Sequence, residues 1–253
     1  FICVTGLIVL LLNRLNVRRV KRRARLLQER DEFRNRSLRA QMNPHFIYNS
    51  LNTVQHFILD KDNKKSMSYL AQFSKLMRLT FDHTNKNLIT LDEELTALKL
   101  YTDLEIVRYP DKLNVHFNID ASIDTGNMLI PPLLIQPFVE NAILHGVLPG
   151  ESTGTVVISL LSEKDSIRLS IKDDGIGIEA SRAIQIQKTM NQQNAGFKPS
   201  SKINRQSGMN ITRTRIQNLN RDVKGNVQEI EIESSAETGT TVTFKIPKIT
   251  QPF

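Results

Sequence analysis

Cysteine is all but absent from these 253 residues. The single thiol, Cys3, excludes an intrachain disulfide framework and any metal site built on several cysteines. Wholesale disorder is excluded too, because 40% hydrophobic and 24% charged residues is the composition of a folded chain. The length allows one large domain or two modest ones, with room for a sizeable core. Excess charge is missing from most of the sequence. The net +8 comes from residues 14–40, which hold 11 Lys/Arg and 3 Asp/Glu; the remainder carries 23 of each sign and is neutral. A general nucleic-acid surface therefore loses its support, and no direct nucleic-acid partner is expected.

The basic segment follows one with no charge at all. Phe1 to Leu12 reads FICVTGLIVLLL, and then come Arg14, Arg18, Arg19, Lys21, Arg22, Arg23 and Arg25. Twelve such residues fall short of the ~20 that span a bilayer, and a signal peptide carries its charge before the apolar run. The expectation is that residues 1–13 end a transmembrane helix begun before Phe1, with the chain after about residue 13 cytoplasmic; a buried helix end is the alternative. Residues 14–40 then form a juxtamembrane linker against anionic headgroups. From Arg23 to Met42 there is no Gly or Pro, and the sparse seam of Leu27, Phe33 or Arg34, Leu38 and Met42 suits a parallel coiled coil or a solvated helix.

Gln41 to Asn52 is the stretch around which the rest is arranged. As a helix it places His45, Asn49, Asn52 and His56 on one polar stripe and Ile47, Leu51, Val54 and Ile58 on an apolar seam opposite. Pro44 suits a first helical turn or a kink. The stripe alone is equally that of a bundle helix with an incidental surface histidine. The helix is expected to reach about Leu59, followed by a polar turn at residues 60–65. A second helix carries Leu70, Phe73, Leu76 or Met77, and Phe81 at helical spacing. One hairpin leaves its seam uncovered, so pairing with a second copy into a dimeric four-helix bundle is the economical arrangement.

Thr90-Leu91-Asp92-Glu93 is a capping-box sequence that predicts a helix to about Arg108, broken by Tyr109-Pro110-Asp111. A domain boundary is expected there, dividing 41–109 from 110–250. Beyond it, residues 112–120 alternate like a strand, and Pro131-Pro132 opens an apolar helix through Gly146. Strands are expected at 155–161 and 166–172, a long loop with at most one helical turn at 180–207, a helix at 208–219, and strands at 229–234 and 240–246. Mixed elements of this kind form an α+β sandwich.

Three clusters in this half have chemical logic. Asn141, in Glu140-Asn141-Ala142-Ile143-Leu144-His145-Gly146, offers a hard amide oxygen suited to Mg²⁺, and Glu140 could reach such an ion through water. Asp173 heads Asp173-Asp174-Gly175-Ile176-Gly177-Ile178 directly after a strand. Its carboxylate can accept from an exocyclic amine while Gly175 and Gly177 let backbone approach a ligand. Gly208 opens a helix whose free N–H groups suit phosphate, and Thr240 follows Gly239. Singly these are weak, since such glycine turns are frequent and His145 could equally be a packed residue.

Their company is more specific. Pro44-His45-Phe46-Ile47-Tyr48-Asn49, the block Leu133-Leu134-Ile135-Gln136-Pro137-Phe138-Val139-Glu140-Asn141-Ala142-Ile143-Leu144-His145-Gly146, and the Asp173–Ile178 turn together resemble the sensor histidine kinases of the LytS/YehU type. The resemblance runs from about Leu38 to Pro247. It implies an α-helical dimerisation hairpin followed by an α+β sandwich of the GHKL (Bergerat) type, in a bacterial two-component sensor of the inner membrane. It further implies ATP and Mg²⁺ as cofactors, a homodimer, and a response regulator, LytTR-type regulators being the usual partners. Residue by residue, His45 matches the phospho-acceptor and Asn141 the magnesium ligand. Asp173 matches the residue that reads the adenine amine, with Gly175 and Gly177 in its turn. Gly208 matches the lid glycine and Thr240 the threonine on the adenine side. Asn49, one turn beyond His45, is a candidate for orienting water in regulator dephosphorylation, and His145 is counted among the nucleotide-side residues. The residue after His45 is Phe46 where many histidine kinases have an acid, so Glu140 is the candidate base or magnesium contact. Pro137 stands where hydrolytic relatives of the fold carry a glutamate, so free ATP hydrolysis is expected to be poor. Gln206-Ser207-Gly208-Met209-Asn210-Ile211 departs from the family's lid, which keeps open a nucleotide-binding pseudokinase scaffold as the alternative.

Overall fold

The computed structural model describes residues 44–191 and 230–249. The chain divides into two units, residues 1–44 and 45–253, and apart from Pro44 the described residues belong to the second. The expected membrane segment, the basic linker, and Gly208 with its helix lie outside the described residues. Among the described residues no helix is long and apolar enough to cross a membrane.

Two helices open the unit, α1 (Pro44–Leu59) and α2 (Asn63–Thr84). The turn between them is closed by Lys61 at φ 59°, with Asp62 N–H donating to Phe57 O at 2.9 Å and Lys61 N–H to Ile58 O at 3.0 Å. This is a Schellman motif made without glycine. Asp62 then caps α2 by accepting from Lys65 N–H at 3.0 Å. The inward face of α1 is Phe46, Ser50, Thr53 and Phe57, which packs toward Tyr69 and Phe73 of α2. That face is offset from the expected seam: Leu51 and Ile58 are exposed, as are Met67, Leu70 and Phe81 on α2. Each helix thus carries two adjoining apolar stripes, of which the chain buries only one.

Helix α3 (Leu91–Arg108) starts at the predicted capping box, with Glu93 N–H donating to Thr90 Oγ1 at 3.1 Å and Thr90 N–H to Glu93 Oε2 at 2.9 Å. It is buried around most of its circumference, because α2 packs on one side and the sheet on the other. The strand β1 (Ile89–Thr90) just before it pairs with β3 (Leu129–Ile130). Packing therefore runs across Tyr109-Pro110, where the chain passes from helix to strand.

The main sheet has the order β2-β4-β5-β7-β6, formed by β2 (Leu113–Ile119), β4 (Gly154–Ser162), β5 (Ser166–Asp173), β7 (Gly239–Pro247) and β6 (Glu231–Ser235). Only β2 and β4 run parallel. Alternation puts Val156, Ile158, Leu160, Ile167, Leu169, Ile171, Phe244 and Ile246 on one buried face. Helix α4 (Gln136–Asn141) packs there through Phe138 against Phe244, ring centroids 5.0 Å apart.

Two elements differ from the sequence expectation. The apolar helix starts at Gln136 rather than at Pro131-Pro132, because Leu133 is held at φ 54°, a left-handed conformation no helix continues through. After Asn141 it widens into a π-helical segment, Ala142–Val147, with Leu148 N–H donating to Ile143 O at 2.9 Å. The stretch expected as a loop contains a 12-residue helix, α5 (Ala180–Asn191). Its stability comes from contact with β6, where Ile232 N–H donates to Gln187 Oε1 at 3.4 Å, and from burial of Ala183.

Candidate functional site

The last residue of β5 is Asp173, which faces the buried side of the sheet and is only 4% exposed. Its Oδ1 accepts from Gly175 N–H at 3.0 Å and from Thr240 N–H at 3.3 Å. Among the described residues Oδ2 accepts no hydrogen bond and is left for an incoming donor. Burial holds the Asp173 carboxyl above the ordinary aspartate range, against those two N–H donors, and the Asp174 charge adds to the rise.

The glycines around it are there for space. A Cβ on Gly146 would lie 2.5 Å from Asp173 Oδ1, and one on Gly175 would run into the carbonyl of Gly146. The loop is therefore pressed onto the π segment, and Ile176 N–H donates to Gly146 O at 3.1 Å. Gly177 sits at φ 66° with Ser235 backbone against its Cα, and Gly239 at φ 75° against the carbonyl of Asp173. On the neighbouring strands Thr240 Oγ1 lies 2.8 Å from Ser234 Oγ, which also accepts from Ile178 N–H at 2.8 Å. Asp173, Gly175, Gly177 and Thr240 thus meet at one place, bounded by Gly146.

Asn141 ends α4 and is partly buried. Its Nδ2 donates to Pro137 O at 2.7 Å, and among the described residues its Oδ1 accepts no hydrogen bond. Glu140 accepts from Gln136 Nε2 at 2.9 Å and lies in electrostatic reach of Tyr101 and Glu105 on α3. His145 is exposed on the π segment. Among the described residues no group of three or more His, Cys, Asp or Glu could hold a metal ion. A single amide oxygen beside a carboxylate fits Mg²⁺ when phosphate oxygens and water complete the octahedron.

His45 and Asn49 stand apart from this cluster, on α1. The His45 ring is exposed, with Asn49 Nδ2 at 3.0 Å from Nδ1 and 3.2 Å from Nε2. The following residue, Phe46, is buried against Tyr101 and Phe73, at centroid distances of 5.2 and 6.1 Å. Tyr101 in turn neighbours Glu140, so the histidine's helix is seated on α3 close to the helix of Asn141.

Two family models match the chain, one described as histidine kinase over residues 33–113 and one as histidine kinase-, DNA gyrase B- and HSP90-like ATPase over residues 132–250. The YwpD protein of Bacillus subtilis is 30% identical over 212 residues, covering 83% of this chain and 68% of that protein. The chain belongs to the histidine kinase family. The sensor protein LytS of Staphylococcus epidermidis is 32% identical over 215 residues, 84% of this chain and 33% of its own length. The sensor histidine kinase YpdA of Escherichia coli is 36% identical over 145 residues, 57% of this chain and 25% of its own. The chain spans about a third of the length of the LytS proteins it matches. A helical region followed by a GHKL-type sandwich is the architecture of this member of the family.

Two residues that bound the site, Gly146 and Ser234, are visible in the sequence only as neighbours of better motifs, and Ser234 is found through its register partner Thr240.

Proposed function

We propose that the chain autophosphorylates His45 from Mg-ATP and passes the phosphoryl group to an aspartate of a response regulator. The observation that carries this reading is the buried Asp173, whose Oδ2, unbonded among the described residues, and glycine-lined approach suit an adenine amine and ring. Thr240 stands beside it on the adenine side. Asn141 would hold the magnesium ion, with Glu140 as base or water-mediated contact, and His145 and Gly208 on the nucleotide side. When bound, the ion neutralises charge on the phosphates. His45 attacks through the lone pair of one ring nitrogen. An N–P bond forms as the bond from γ-phosphorus to the bridging oxygen breaks, ADP leaves, and the second ring nitrogen gives its proton to solvent or to a base. Positioning supplies most of the acceleration.

The exposed stripes of α1 and α2 support a homodimer built as a four-helix bundle, with 41–109 as its dimerisation and phosphotransfer region and 110–250 as the ATP-binding region. The sequence pattern of residues 1–40 supports a bacterial cytoplasmic-membrane sensor whose linker follows a membrane helix, and the resemblance supports a LytTR-type regulator. The pseudokinase alternative rested on residues near Gly208, outside the described residues, and no observation favours it.

Incubation with Mg-[γ-³²P]ATP tests the reading. The expected product is an acid-labile, base-stable label that is lost in His45→Gln. Label retained in that variant overturns the assignment.

A further inference from the structure

Glu94 is a carboxylate with no part in the chemistry above, yet it is 2% exposed in the middle of the molecule. From α3 it reaches across to the chain that leads into α4. Oε2 accepts from Leu133 N–H at 2.8 Å and Oε1 from Ile135 N–H at 3.0 Å. Those N–H groups belong to the approach to α4 and have no helical partner, and Ile135, the residue capping α4, supplies no side-chain cap. Leu133 is held left-handed at φ 54°. A bidentate acceptor at this point fixes both the bend and the start of the helix.

The consequence runs to Asn141. Its amide is tied to Pro137 O, in the first turn of the same short helix. Glu94 thus holds the helix start, and the helix start holds the Asn141 side chain. We propose that Glu94 is the positioning residue for Asn141, setting where its Oδ1 meets a magnesium–nucleotide. This rests on the reading of Asn141 given under Proposed function. Partners that orient a metal-binding group in this way change metal affinity by about 10- to 100-fold when lost.

The test uses the full chain and a fluorescent ATP analogue titrated with Mg²⁺ and with EDTA, beside hydrogen exchange followed by mass spectrometry. Wild type should gain affinity from Mg²⁺, and Asn141→Ala should lose that gain. Glu94→Gln keeps the volume but sets an amide N–H₂ against one of the two backbone donors. It should reduce the Mg²⁺-dependent gain about 10-fold, leave affinity in EDTA close to wild type, and speed exchange in residues 133–145 more than elsewhere. A Glu94→Gln protein that melts earlier yet keeps the full gain shows a merely structural residue and overturns the proposal. Should that variant not fold, Glu94→Asp, which keeps the charge but is one methylene short, must show an intermediate loss; a full gain there overturns it equally. Failure of Asn141→Ala to lose the gain removes the reading of the site itself, whereas loss in Asn141→Ala with none at Glu94 removes only this inference.

Discussion

The Asn49 amide nitrogen lies within hydrogen-bond distance of both ring nitrogens of His45. A neutral imidazole has one in-plane lone pair, so if His45 is the phospho-acceptor, as proposed, the amide competes with the phosphorus for it. One such bond has a net worth of about 0.5–1.5 kcal/mol, so Asn49→Ala should autophosphorylate at least as fast as wild type and by up to about 10-fold faster. If Asn49 orients water for regulator dephosphorylation, the same variant should lengthen the lifetime of a regulator's aspartyl phosphate in this protein's presence; rapid-quench labelling and a phosphate-release assay separate the two effects. Glu105 poses a different residue-scale question. Burial holds its carboxyl above the ordinary glutamate range, although Arg108 stands 3.3 Å away, and among the described residues its Oε2 has no partner. A raised carboxyl stabilises the fold fully below its unfolded pKa and loses that contribution as pH rises through the folded value. The melting temperature of wild type minus that of Glu105→Gln should therefore grow as pH falls from about 7.5 toward 4.5. A difference that is flat, or that shrinks on acidification, contradicts the assignment.

At the scale of the element, α3 shows local and tertiary control together. Its start is encoded by four adjacent residues, and both bonds of the capping box are present. Glu93 is also paired with Lys86 at 2.8 Å, which holds its carboxyl below the ordinary range. Thr90→Ala should cost about 1 kcal/mol, seen as a fall of about 2–4 °C in the thermal midpoint. No change in the midpoint would mean that Lys86 and the β1–β3 pairing hold the helix start without the cap. The rest of α3 is set by its surroundings, since a helix buried on opposite sides has little amphipathic signal. Helix α5 shows the converse: Ala183 and Ile186 give it only a short apolar stripe in an otherwise polar stretch, and that stripe packs inward beside β6.

At the scale of the whole molecule, the hairpin presents Leu51 at 49%, Ile58 at 55% and Phe81 at 64% exposure, residues that a lone monomer has no reason to leave in water. If a second copy covers them, Leu51→Glu combined with Ile58→Glu should convert a dimer to a monomer in light scattering. Nucleotide affinity should remain, because both side chains lie on α1, outside the cluster around Asp173. A double variant that keeps the wild-type mass removes these stripes as the interface. Within one chain the hairpin is seated on α3 through Phe46, Tyr101 and Phe73, with Glu105 and Arg108 in electrostatic reach of the Tyr69 phenol. The histidine's helix and the ATP-binding sandwich thus share α3 as a common wall.

What the sequence determined by itself was what depends on near neighbours along the chain. Helical spacing announced α1 and α2, the capping box announced α3, and alternation announced β2, β4, β5 and β7. The blocks around His45, Asn141 and Asp173 announced the family. The tertiary structure decided what depends on residues far apart. Two apolar stripes on α1 share one period, and only packing against α2 and α3 selects Phe46 and Phe57 over Leu51 and Ile58 as the inner face. Three acids open α3, and only the approach of Leu133 and Ile135 gives Glu94 a role. Gly146 becomes necessary because the Asp173 loop is pressed against it. Periodicity is a property of one segment, whereas these choices belong to contacts between segments separated by up to about 55 residues, as with Phe46 and Tyr101.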